Sequence, residues 1–334
     1  MDHPFLSRPQ LPALSSAQLP LSRQDVDRDY LARSREDLFE VLLADSTTRV
    51  LPLWKSTALM ADGSIALLPL GGLPADAIPT AEVLVYLGRT LTDSGDLPAG
   101  TPILTAVVTD AVADLLDDGP DSWGNLRAIG GYLSDRDAGL LTQAVALANW
   151  HDSHRFSPRT GEPLQAVQGG WVRTDSNGEV FPRTDPAIIV AVIDDDDRIL
   201  LGTNALWESN QFSLLAGFVE PGESLEAAVA REVFEESGIR IVDPVYLGSQ
   251  PWPFPASLMI GFTARVDPAR ESTLTPDGDE ILELRWFSRQ KLRDSLSEIT
   301  LPNATSIARA IIEHWYGGPI ESHDDGVPVA DRSS

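Results

Sequence analysis

Glu223, Arg231, Glu232, Glu235 and Glu236 combine carboxylates at helical spacing with one arginine, a set that can hold a hard cation and move protons. Glu232 and Glu236 are four residues apart. At about 100° per residue their side chains fall on nearly one line of a helix. Glu235 follows Glu232 by three and borders the same face. Arg231 precedes Glu235 by four, the spacing for a charge-assisted bond between them. Leu225, Ala228, Val229, Val233 and Phe234 supply the buried side. Three close carboxylates repel unless something neutralises them, and Mg2+ or Mn2+ does so through oxygen ligands. Periodicity alone fits a solvated acidic helix equally well, so the surrounding pattern has to decide.

The segments around these residues must position them. Pro221-Gly222 makes a turn, Ser224 is placed as an N-cap, and Gly238 stands where a helix stops in a left-handed conformation. These bounds predict a helix over Ser224–Ser237. Ala187–Ile193 reads as a buried strand, and Arg198–Gly202 as its hairpin partner. The aspartates Asp194–Asp197 between them read as a solvated turn rather than a second cation site. Further strands are expected at Ser213–Val219, Val245–Gln250, Leu258–Val266 and Glu283–Phe287, with a helix at Ser306–Tyr316. The N-terminal half predicts strands at Arg49–Leu53 and Glu82–Leu87 and helices at Asp110–Leu116 and Asp135–Trp150, with no catalytic motif. His151–Pro186 is rich in turn residues, and His151 and His154 read as polar linker residues.

Length and charge set outer limits. The 334 residues allow two domains. Hydrophobic residues at 43% and charged residues at 22% suit a soluble globular chain. A net charge of −25 argues against a general polyanion-binding surface. It leaves open phosphate binding through divalent cations, which invert the local charge. The chain has no cysteine, which excludes disulfides, thiol catalysis and cysteine-ligated zinc. No apolar stretch is long enough to span a bilayer, and no secretory signal is visible, so a cytoplasmic protein without a membrane partner is expected.

The run from Gly217 through Glu223 and Arg231-Glu232 to Glu235-Glu236, Gly238 and Ile239 resembles the box of the Nudix hydrolases at every fixed position. The resemblance implies an α/β fold: a C-terminal α/β/α sandwich with a mixed sheet, preceded by a smaller α/β N-terminal domain. It implies hydrolysis of a nucleoside diphosphate linked to another moiety. Matched by position, Glu232 and Glu236 would be metal ligands, and Glu235 a further ligand or the base. Glu223 and Arg231 would support them, and the carbonyl of Ala216 would add a ligand. The expected cofactor is Mg2+ or Mn2+.

Ser249-Gln250-Pro251-Trp252-Pro253-Phe254-Pro255-Ala256-Ser257 is similar to the aromatic–proline array of the NADH pyrophosphatase group within that family. Gln250–Ser257 would then frame a dinucleotide. Phe181, before Pro182-Arg183, and Ala308, in Ser306-Ile307-Ala308, resemble further substrate-side positions. Glu280, in Glu280–Phe287, would be another metal ligand. The group carries a four-cysteine zinc ribbon between its domains. Here Ser157, Thr160, Thr174 and Asn177 stand in those places, so no zinc is expected, and packing by Trp150, Phe156 and Trp171 would hold the connector. The implied organisation is a flexible arm (1–21), an N-terminal domain (22–150), a degenerate ribbon (151–184), a catalytic domain (185–316) and a disordered acidic tail (317–334). The implied reaction splits NAD(H) into NMN(H) and AMP, in a homodimer. The alternatives are removal of NAD caps from RNA 5′ ends, and a catalytically silent nucleotide-binding module.

Overall fold

The structure is a computed structural model and describes residues 11–95, 97–207, 210–270 and 273–321. The chain divides into two compact units. One holds residues 21–184 and 251–257, and the other residues 11–20, 185–250 and 258–321. The fold is mixed α/β.

In the first unit, β1 (Arg49–Trp54) pairs antiparallel with β2 (Thr57–Ala61), and β3 (Val83–Thr90) antiparallel with β4 (Pro102–Val107). A parallel β1–β4 pairing joins the two hairpins, which makes the sheet mixed. Alternate residues point to opposite faces of a strand. Leu51, Leu53, Val85, Leu87 and Ile103 therefore pack with α2 (Asp135–Ser153), while Val50, Tyr86 and Leu104 pack with α1 (Asp110–Leu116).

The connector forms a small sheet of β5 (Gln165–Val167), β6 (Val172–Asp175) and β7 (Gly178–Val180). Hydrogen bonds close it where the resemblance puts zinc. Thr160 Oγ1 donates to Asp175 Oδ2 at 2.9 Å, and the Ser157 side chain also bonds Asp175. Ser176 Oγ donates to Glu162 Oε2 at 2.7 Å. Phe156 is 61% exposed, which corrects the expectation that it packs the connector, whereas Trp150 is buried. His151 is also no solvated linker residue. It ends α2 fully buried, with Nε2 2.8 Å from Gly170 O and Nδ1 2.9 Å from Arg173 Nε. Arginine is always a donor, so Nδ1 accepts and the proton sits on Nε2.

In the second unit the sheet order is β11 (Ile241–Trp252), β12 (Ser257–Val266), β8 (Asp185–Ile193), β9 (Ile199–Asn204) and β13 (Ile281–Phe287). The short β10 (Leu215–Phe218) pairs with β8. From Ala187 onward β8 is apolar because both of its faces are covered. Ile188, Val190 and Val192 meet Ala228, Val229 and Val233 of α3 (Leu225–Ser237). Ile189, Ala191 and Ile193 belong to the opposite core with Ile307, Ile311 and Trp315 of α5 (Ile307–Tyr316). Helix α4 (Arg289–Ser295) adds Leu292 to that core. Residues 11–20 are not loose: Leu14 and Leu19 join the core, and Leu14 N bonds Leu247 O at 2.6 Å. Apolar spacing outweighs their proline and serine content. The tail expectation for 322–334 lies outside the described residues, while Ile320 is buried. No helix among the described residues is long and apolar enough to cross a membrane.

Burial holds His151 at a pKa of about 4, below its ordinary 6.5, and the Arg173 charge acts in the same direction. A depressed histidine pKa means the unfolded chain takes up the proton first. The stability from this contact is therefore complete above pH 6.5 and is lost as pH falls towards 4, by at most about 3 kcal/mol. Urea unfolding of wild type and His151→Leu between pH 8 and 4.5 should show a shallower acid-side slope in the variant; equal slopes would refute the assignment.

Candidate functional site

Helix α3 begins as its sequence dictates. Ser224 accepts a bond from Ala227 N at 3.2 Å, and Gly238 ends the helix in the left-handed region at φ 69°. The buried side anchors the helix on β8, which fixes where its glutamates point.

Arg231 organises the exposed side. Its Nε and Nη2 both meet Glu223, each at 2.9 Å, in a forked pair. Nη2 also donates to Phe218 O at 3.0 Å. Nη1 lies 2.8 Å from Glu232 Oε1 and 3.1 Å from Glu235 Oε2. Glu223 is held in turn by Glu220 N at 3.1 Å. One guanidinium thus ties the loop after β10 to three glutamates. Glu223, first among these partners, raises the Arg231 pKa above its ordinary range.

Gly217 has a steric reason. A Cβ built there would overlap the Glu232 carboxylate. Its missing side chain allows β10 and α3 to close over that glutamate.

Glu236 is the anomaly. It is 4% exposed, and its Oε2 is buried without a hydrogen-bond partner. Its pKa rises to about 8, first through burial and then through the charges of Glu232, Glu280 and Asp277. A backbone hydrogen bond at Ala216 opposes the shift. Burial also raises the pKa of Glu232, against the pull of Arg231. A carboxylate left half-satisfied beside other carboxylates is costly in a folded protein. The set fits a divalent cation, which would supply the absent partner and cancel the repulsion. Among the described residues no three acidic or histidine side chains close on one point by themselves. Arg231 holds Glu232 and Glu235 meanwhile, and Glu235 remains 58% exposed.

Glu280 arrives from outside the helix, just before β13. Asn204 Nδ2 lies 3.2 Å from its Oε1, and Ala205 N donates to its backbone oxygen at 2.8 Å. Asp277 was not singled out from the sequence. Its Oδ1 accepts from the backbone N–H groups of Asp279, Glu280 and Ile281 at 3.2, 3.1 and 2.8 Å, which fixes the turn that presents Glu280. The local signal was present in Asp277-Gly278, a turn pair.

The aromatic–proline array divides between the units. Gln250 is buried and donates to Thr305 O at 2.9 Å, so it braces the start of α5. Pro251–Ser257 belongs to the first unit. Trp252 and Phe254 pack edge to face there, 4.9 Å between centroids, against the α2 core. Arg127 covers Phe254 at 4.6 Å and Trp252 at 5.4 Å, and Asn149 Nδ2 bonds Pro253 O at 2.9 Å. Pro255 is exposed and Ala256 half-buried. Phe181 is exposed in the first unit. Ala308 is 2% exposed, and its methyl group belongs to the core.

The raised Glu236 pKa has a stability consequence without cations. For a carboxyl raised in the fold, the contribution is present below its unfolded value near 4.5 and is lost as pH rises through about 8. Glu236→Gln should therefore be more stable than wild type above pH 8 in chelator, by a few kcal/mol. The difference should shrink towards pH 5. Chemical unfolding at both pH values measures it, and a destabilised variant at pH 8.5 would contradict the burial argument.

Residues 183–310 match the family model described as NUDIX domain, and residues 47–150 the one described as NADH pyrophosphatase-like rudimentary NUDIX domain. Over 203 residues the chain is 47% identical to a Mycobacterium bovis protein called NAD-capped RNA hydrolase NudC. That alignment covers 57% of this chain and 64% of the relative. A Mycobacterium tuberculosis protein of the same name gives the same figures. The human NAD-capped RNA hydrolase NUDT12 is 37% identical over 199 residues, which covers 55% of this chain and 42% of that protein. The matched part therefore spans less than two thirds of these relatives.

Proposed function

We propose that the chain is a Nudix hydrolase that cuts the pyrophosphate bond of an NAD moiety with a divalent cation, acting on NAD-capped RNA ends and on free NAD(H). The observation that carries the reading is Glu236, buried with an unpartnered oxygen among the charges of Glu232, Glu280 and Asp277. A silent binding module has no use for such a costly arrangement. The names of the relatives favour capped RNA, and the two substrates share the bond that is cut.

The residues divide the work. Glu232, Glu236 and Glu280 would hold the cation, with the backbone of Ala216 beside Glu236. When bound, Mg2+ or Mn2+ would screen the pyrophosphate charge and acidify a water. Glu236 would have to release its proton to solvent to hold a cation, so occupancy and ionisation would be coupled. Arg231 keeps Glu232 aligned while the site fills, and Glu223 keeps Arg231 aligned. Glu235, at the exposed rim and held by one oxygen, is the carboxylate that can accept a water proton. The expected products are NMN(H) and AMP from the free dinucleotide, and NMN plus a 5′-monophosphate RNA from the capped end.

Mass spectrometry of NADH and of NAD-capped RNA, incubated with protein with and without Mn2+, tests this. Cation-dependent cleavage of the pyrophosphate is expected for both, and no cleavage of either would refute the proposal. Glu236→Gln should lower turnover by at least about 10²-fold while raising stability at alkaline pH. Gly217→Ala should fold but bind Mn2+ at least about tenfold more weakly, since its methyl displaces Glu232, a cost of about 1.4 kcal/mol or more. Unchanged Mn2+ titration by electron paramagnetic resonance would remove Glu232 from the ligand set.

A further inference from the structure

Arg28 and Arg33 share one aromatic ring in the first unit. Their guanidinium carbons lie 5.4 and 4.3 Å from the centroid of Trp171. Trp171 is itself fixed, with Nε1 donating to Tyr86 O at 2.7 Å. Among the described residues neither arginine has a hydrogen bond or an ion pair through its side chain. That is unexpected in a chain of net charge −25. Arg231, Arg198, Arg289 and Arg309 all have carboxylate partners. Asp29, whose charge acts on Arg33, is already engaged by Tyr86 Oη at 2.7 Å and by Arg89 Nε at 3.1 Å. Asp37 is taken by Arg35, and Glu179 by Gln168.

At Arg33 the repulsion from Arg28 is opposed only through space, by Asp29 and Tyr86, and neither arginine is met directly by an acceptor among the described residues. Burial lowers the pKa of both, and the Arg28 charge lowers that of Arg33 further. An anion bound to both would remove that cost. Stacking on the indole limits the guanidinium orientations and leaves N–H edges available for forked bonds to phosphate oxygens. The ring surface is occupied by the arginines, so the stack is suited to a phosphate chain more than to a base.

We propose that the Arg28–Trp171–Arg33 stack is a docking site for the phosphodiester backbone of single-stranded RNA. The inference deepens the capped-RNA reading and rests on it for the choice of RNA, but it uses none of the glutamate machinery. Because the rest of the chain is strongly acidic, such a site would supply a local attraction without making the protein a general polyanion binder.

Fluorescence anisotropy of the full chain with a labelled twelve-nucleotide RNA lacking the NAD cap tests it, between 50 and 200 mM salt. Arg28→Gln/Arg33→Gln should bind at least about tenfold more weakly, with a salt slope smaller by about one to two. The same variant should lose kcat/KM on NAD-capped RNA and keep cleavage of free NADH. Arg28→Lys/Arg33→Lys, which keeps charge without the fork, should recover binding only in part. Equal RNA affinity of wild type and the glutamine variant would overturn the proposal. So would complete displacement of the RNA by millimolar inorganic phosphate at constant ionic strength, which would assign the stack to a small anion. RNA binding that depends on the two arginines in a protein that cleaves neither substrate would sink the catalytic reading and leave the docking site standing.

Discussion

Arg231 is the interaction on which the arrangement of the second unit's glutamates depends. Its guanidinium joins Glu223, Glu232, Glu235 and the carbonyl of Phe218. Without a cation at that position, the loop after β10 and the first turns of α3 would carry only like charges. Surface ion pairs are generally worth little, but this one is forked, partly buried and shared. Its main effect is geometric. It sets the side-chain directions of several carboxylates at once and leaves Glu236 outside the compensation.

On the proposed reading that exclusion matters. Carboxylates already satisfied within the protein would gain less from a metal than one left without a partner. The fold buries Glu236 and provides one backbone contact at Ala216, while its second oxygen stays unpartnered. The resulting instability is local and is borne by two cores on opposite faces of the sheet. Local strain supported by surrounding packing is a usual feature of sites that bind charged ligands.

The first unit shows the same exchange of interactions in another form. Where the group uses zinc, the connector here relies on Asp175 with Ser157 and Thr160, and on His151 between Gly170 and Arg173. Hydrogen bonds of this kind are individually weaker than metal–thiolate bonds, so several are needed. They would also bring sensitivity to acid, which a zinc site would show through its ligands and this connector through a buried neutral histidine. Arg28 and Arg33 lie beside this connector on Trp171, and among the described residues neither makes a side-chain hydrogen bond or ion pair.

Local patterning determined much of this protein. The spacing of Glu232, Glu235 and Glu236 fixed a helix face, Ser224 and Gly238 fixed its ends, and the unbroken apolar run Ala187–Ile193 fixed a strand buried on both sides. These features depend on residues within one or two turns of each other, so they are legible in one dimension. Tertiary structure decided the rest. Asn204 reaches Glu280 only because β9 and β13 pair. Gln250 and Trp252 are near neighbours in the chain but serve different units. The aromatic side chains of Trp252 and Phe254 pair with Arg127, far away in sequence. His151, which in sequence sits among turn-rich linker residues, becomes buried because Gly170 and Arg173 fold back onto α2. The charge state of Glu236 likewise follows from burial and from carboxylates on other elements, which no local spacing encodes.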